Sequence, residues 1–200
     1  MNFAKLTDNL TKRGWAVSTF ANKEDAAAYL NQQINGQTVA FGGSMTLKQM
    51  GLYEQLSEHN KVIWHWKAAP GTEDKVRHNA QHAAVYLSSV NGVAETGELI
   101  NIDGNGNRVS AIQYGPQKIY LVIGSNKIAP DYEQALWRAR NIAAPKNAQR
   151  QHRNTPCAIN ADRCYDCNSP ERSCRALSVL WCPPRGAEYE IILIDEPLGY

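Results

Sequence analysis

No stretch of this chain approaches the roughly 18 consecutive apolar residues of a membrane-spanning helix, and its 200 residues carry a net charge of only +2. The first absence excludes a helical membrane span. The second gives no support to nucleic acid as a partner, because the basic residues form no stripe along the sequence. The densest basic group, Arg138, Arg140, Lys146, Arg150, His152 and Arg153, reads as a solvated face with at most one anion contact. The opening run MNFAKLTDNLTKRGWAV has neither the continuous apolar stretch nor the small-residue cleavage site of a signal peptide. The expected compartment is therefore the cytoplasm, where thiols stay reduced. Also missing are a GxGxxG fingerprint, a P-loop lysine and a G-x-S-x-G elbow, which speaks against several common enzyme classes.

What is present is alternation. Phe3, Leu6 and Leu10 space out a short amphipathic helix ending near Gly14, and Asn22 caps a second helix ending before Gly36. TVAFGG is a buried strand, Thr46 and Gln49 have capping-box spacing for a helix toward Ser57, and KVIWHW is the next strand. Thr72 caps another helix, AVYLSSV and KIYLVIG are buried strands, Pro130 and Asp131 open a helix, and YEIILI is the final strand. GELINI and RVSAIQY flank the turn-rich DGNGN and read as a β-hairpin inserted in the series. The expected fold is one α/β domain over 1–200, an open, mostly parallel sheet with helices on both faces.

In such sheets ligands bind beyond the carboxyl ends of the strands. Three segments belong there. In GGSMT, residues 42–46, Gly42 and Gly43 let backbone N–H groups approach a ligand, while Ser44, Met45 and Thr46 start a helix whose end favours an anion; a plain strand-to-helix turn is the alternative. In ETGE, Glu95 and Glu98 follow a strand, so Glu95 is the candidate nucleophile or base, flanked by Thr96 and Gly97. Exposed loop charges are the alternative. In the DGNGNR tip, Asp103, Asn107 and Arg108 stand ready to close over a pocket, or serve the turn alone. GGSMT and ETGE are expected to face one shared cleft. His65, between two tryptophans, reads as a core histidine; His78 and His82 have chelating spacing but no acidic partner in register.

Four of the five cysteines fall in the run TPCAINADRCYDCNSPERSC, within a segment spanning 155–176. Cys157, Cys164, Cys167 and Cys174 follow a C-x6-C-x2-C-x6-C spacing. Four thiolates close a tetrahedral zinc site or hold an iron–sulfur cluster. A redox dithiol at Cys164 and Cys167, or thiols without function, are the other readings. The four sulfurs are expected to converge on one site.

VAFGGSMTL, SSVNGVAETGELINIDGNGNRV, YGPQKIYLVIGSNKI, RARNIAAPKNAQR, the cysteine run and the terminal LGY together resemble the LUD-domain proteins, the lactate-utilisation family, in its short cysteine-tailed branch. The resemblance runs nearly end to end. It implies a fold like the ribose-5-phosphate isomerase, glucosamine-phosphate deaminase and CoA-transferase group. It also implies a role beside iron–sulfur subunits in oxidising lactate to pyruvate, while the GGSMT turn itself leads to the expectation of a small anionic ligand. Glu95 falls where the CoA transferases of that group place a nucleophilic glutamate, so a stand-alone transferase or sugar-phosphate enzyme is one alternative, and a non-catalytic metal-binding subunit another. Gly92 departs from the family, where an alanine is usual.

Overall fold

The computed structural model describes residues 2–200. Helix α1 (Ala4–Lys12) buries Leu6 and Leu10, as their spacing predicts, and strand β1 (Ala16–Phe20) follows. Helix α2 (Lys23–Gln33) starts where the Asn22 side chain accepts a hydrogen bond from the Asp25 N–H at 2.8 Å. Strand β2 (Thr38–Phe41) runs into α3 (Met45–Gln49) and α4 (Leu52–Ser57). The cap of α3 is Ser44, whose hydroxyl accepts from the Leu47 N–H; the capping-box expectation for Thr46 is not met, because its hydroxyl is turned inward to Lys127 and Leu198. Next come β3 (Lys61–Trp64), a 3-10 turn over His65–Lys67, α5 (Glu73–Ala80) and β4 (Val85–Ser88).

The hairpin lies one step earlier than expected. It is formed by β5 (Gly92–Ala94) and β6 (Leu99–Asp103), antiparallel, with ETGE as its tip. The segment read as its second strand is instead helix α6 (Asn107–Gln113). The Asp103 carboxylate accepts from the N–H groups of Arg108 (3.1 Å) and Val109 (3.4 Å), and Gly106 has a positive φ of 82°. These local bonds favour a helix start over a strand.

Strand β7 (Lys118–Gly124), the two-residue β8 (Ile128–Ala129) and α7 (Tyr132–Arg138) follow. One π-helical turn (Ala139–Ala143) joins α7 to α8 (Ala144–Arg150). Pro145 supplies the cause, since its ring has no N–H and would clash with the carbonyl one turn back in a regular helix. The chain ends through α9 (Pro156–Asn160), β9 (Ala176–Leu180) and β10 (Glu188–Ile194).

Six strands make a parallel sheet in the order β1-β10-β7-β4-β2-β3. Alternate residues face opposite cores. Tyr120, Val122, Ile192 and Ile194 pack with α2, α3 and α4. Ile119, Leu121, Ile191 and Leu193 pack with α1, α6 and one face of a second sheet, β8-β5-β6-β9. The other face of that sheet presents Ala94 and Ile100 to Ala135 and Ala139, which seats α7 against it. Gly92 is required there, because a Cβ at this position would lie 2.6 Å from the Ala135 carbonyl oxygen.

Candidate anion-binding cleft

From β2 the chain steps outward to β3, then crosses back to lay β4 on the other side of β2. The seam between β2 and β4 is thus a topological switch point, where open α/β sheets leave a crevice at their carboxyl ends. A cleft of 780 Å³ opens there. Each neighbouring strand delivers residues to it: Ser44 after β2, His65 after β3, Ser89 and Asn91 after β4, Lys127 after β7 and Tyr200 after β10.

The floor is built around the loop that follows β4. Arg108 is 8% exposed and donates to the Ser89 carbonyl (3.1 Å), the Asn91 side chain (3.0 Å), the Ile102 carbonyl (2.7 Å) and Asn101. Asp103 stands 3.8 Å from its Nε. Gly42 makes room for it, since a Cβ there would meet the Arg108 side chain at 3.2 Å and the Ser88 hydroxyl at 2.8 Å. From the other side Arg138, also 8% exposed, donates to the Asn91 carbonyl at 2.6 Å and to Asn126. Burial draws its pKa down to about 10, so it remains charged at neutral pH. Between them lies Lys127, 3% exposed, whose Nζ donates to Thr46 Oγ1 (2.9 Å) and Ser89 Oγ (2.7 Å).

The walls are also basic. Arg77 of α5 and Arg150 of α8 flank His65; burial first, then these two charges, pull the imidazole down to about 4. His65 is therefore a neutral side chain in the cleft, which corrects its reading as a core residue. Arg150 stacks over Trp66 at 4.7 Å and donates to the Tyr200 hydroxyl at 2.8 Å. Arg77 Nε is buried with no hydrogen-bond partner among the described residues. Arg153, Arg172 and Arg175 complete the lining, giving seven Lys and Arg side chains against the three carboxylates Glu73, Asp103 and Glu171. The basic group read as a solvated face is thus split, with Arg138 buried behind the floor and Arg150 and Arg153 in the wall.

Of the residues picked out in the sequence, Gly43, Ser44, Met45, Asp103, Asn107 and Arg108 line the cleft. Gly42 and Thr46 lie just behind it, against Arg108 and Lys127. Glu95, Thr96 and Gly97 are elsewhere. Strand β5 starts beside Asn91 and carries the chain away, about 3.3 Å per residue, to a tip packed on α1. There Glu95 pairs with Lys5 at 2.6 Å, its backbone accepts from Asn9, and Glu98 pairs with Arg13 at 2.6 Å. The shared cleft expected for GGSMT and ETGE is therefore corrected to a cleft shared by GGSMT and the loop before ETGE. Lys127, Ser89 and Asn91 carried no signal in the sequence beyond their place after buried strands, and Arg138 only as one of a basic group in a helix.

The cysteine segment forms the outer rim. Its expected convergence is not met: among the described residues no three His, Cys, Asp or Glu side chains are gathered to hold a metal ion. Two of the sulfurs have local settings instead. Cys157 Sγ contacts Thr155 Oγ1 at 3.4 Å, and Cys164 Sγ accepts from the Asp166 N–H at 3.3 Å and from Arg140. Arg172 ties the loop together through the carbonyls of Cys167 and Cys174, both at 2.9 Å, and Asp166 at 3.2 Å. As arranged, this donor set does not fit a zinc ion or a cluster.

The LUD domain family matches residues 3–194. No curated protein matches the chain. Among solved structures, a DUF162 family protein from Deinococcus radiodurans is similar over 95% of this chain and 94% of its own, with a TM-score of 0.54 at 14% identity. That likeness speaks to the fold alone. Ribose 5-phosphate isomerase from Plasmodium falciparum is similar over 54% of this chain and 52% of its own, at 12% identity and a TM-score of 0.35. With a family match that spans nearly the whole sequence, the chain belongs to the LUD-domain family.

Proposed function

We propose that this protein binds a small carboxylate of the lactate and pyruvate type in the cleft, as a component of a lactate-utilisation system working beside iron–sulfur oxidoreductase subunits. One observation carries the reading: two buried guanidinium groups, Arg108 and Arg138, crowd a buried amine, and the nearest carboxylate, Asp103, is taken up by Arg108 and the start of α6. Buried charge of one sign is costly unless it is paired, so an anion from solution is the natural partner. Arg77 lines the cleft, and its Nε has no hydrogen-bond partner among the described residues. Family membership supports the lactate connection.

Titration calorimetry with pyruvate, L-lactate and inorganic phosphate tests this. Pyruvate or lactate is expected to bind, and Arg77→Met is expected to weaken binding roughly tenfold or more, the loss of one charge-assisted hydrogen bond at about 1.5–3 kcal/mol. Absence of heat with all three anions would sink the reading. Phosphate binding alone would remove the lactate connection and keep the anion site. The cleft volume of 780 Å³ far exceeds what a three-carbon acid fills and favours a second reading, in which a larger phosphorylated molecule occupies it; a sugar phosphate in the same titration separates the two.

A further inference from the structure

We infer that Lys127 is an imine-forming amine that attacks the carbonyl carbon of a 2-oxo acid held in the cleft. The inference deepens the carboxylate reading above and rests on it for the substrate class, though not for the chemistry of the amine.

Lys127 closes the 3-10 turn Ser125–Lys127 that follows β7, is 3% exposed, and still contributes to the cleft surface. The Thr46 hydroxyl donates to the Leu198 carbonyl at 3.2 Å, so it accepts from the amine. Ser89 Oγ accepts the second N–H at 2.7 Å. A neutral amine has two N–H bonds and one lone pair; both N–H bonds are spent on hydroxyls, and the lone pair has no protein partner among the described residues. A structural ammonium would present three donors and seek a carboxylate. Lys127 makes only these two hydrogen bonds and no ion pair among the described residues.

The surroundings favour the neutral form. Burial, followed by the charges of Arg138 and Arg108, sets the pKa of Lys127 well below 10.5. A desolvated lysine beside other cations is a recognised route to a nucleophilic amine at neutral pH. The wall arginines Arg77 and Arg150, which line the same cleft, receive the carboxylate of the incoming oxo acid. In the reaction the Nζ lone pair forms a C–N bond with the carbonyl carbon, and the two amine protons leave with the carbonyl oxygen as one water, giving the imine. No oxidant or metal enters the balance.

Borohydride trapping tests the inference on the intact chain. Protein is incubated with pyruvate, or with propanal as an uncharged probe, reduced, digested and mapped by mass spectrometry. The expected result is an adduct at Lys127 about tenfold or more above that at exposed Lys12, the gain in neutral-amine fraction for each unit of pKa lowering, and its loss in Lys127→Met. Pyruvate bound by calorimetry with no adduct at Lys127 from either probe overturns the amine and leaves the anion site standing. A propanal adduct at Lys127 without pyruvate binding upholds the amine and overturns the anion site. Labelling of Lys12 alone by both probes also overturns the inference, and because mapping is done on the wild-type chain it does not depend on the folding of the variant.

Discussion

At the scale of single residues the cleft stores its history in two bases that have lost their ordinary basicity. His65 titrates at about 4 in the fold against 6.5 outside it, through burial and then Arg77 and Arg150. Between those values the unfolded chain holds a proton that the folded one does not. Stability from this group is therefore complete above pH 6.5 and is lost as pH falls toward 4. Thermal melts should drop between about pH 7 and about pH 5, and His65→Gln, which cannot charge, should drop less; parallel curves would acquit His65. Lys127 follows the same sign at higher pH. Its folded pKa is depressed, so the unfolded state binds the extra proton up to 10.5. The stability of wild type relative to Lys127→Met should therefore rise as pH climbs toward that value, and a flat difference would mean that the amine is charged in the fold.

At the scale of elements, close backbone packing sets the second sheet. A methyl at Gly92 would strike the Ala135 carbonyl at 2.6 Å, so Gly92→Ala should cost about 1–3 kcal/mol, the range for overpacking, read as a shift in denaturant midpoint. The parallel sheet was legible in the sequence because its strands are buried on both faces and read as continuous apolar runs. The hairpin was misplaced because RVSAIQY suits either state on paper; the Asp103 cap decides, and a cap is visible only once Asp103 ends a strand. The short β1, AVSTF, leaves no apolar run in the sequence, because only three of its residues are even partly buried. Of the site, GGSMT and Arg108 were legible because glycine and turn residues mark strand ends. Lys127 and Arg138 were not, because nothing local distinguishes a buried cation from a solvated one; only the tertiary meeting of β4, β7 and α7 does. The cysteine spacing was legible as a pattern, yet arginine-to-carbonyl bonds order that segment here.

At the scale of the whole molecule, the cleft is a junction of sheet ends, α5, α8 and the cysteine-bearing rim. An anion seated there should bind these parts as one. Hydrogen exchange is expected to slow together in 43–46, 150–153 and 172–175 on adding saturating pyruvate, with a stabilisation of about 2.7 kcal/mol at a hundred times the dissociation constant. Protection confined to one segment would mean that the walls do not share a ligand. The strand order carries one more consequence, for the chain at birth. Strand β10, at residues 188–194, is inserted between β1 and β7 in the sheet. Until the ribosome has delivered that stretch, β1 and β7 each present an open parallel edge, the kind of surface on which nascent chains pair wrongly. Synthesis from the N-terminus therefore cannot lay the sheet down strand by strand, and the long-range closure that completes it is a late, slow event. A chain stalled before Glu188 is a client for chaperones rather than a smaller version of the same fold.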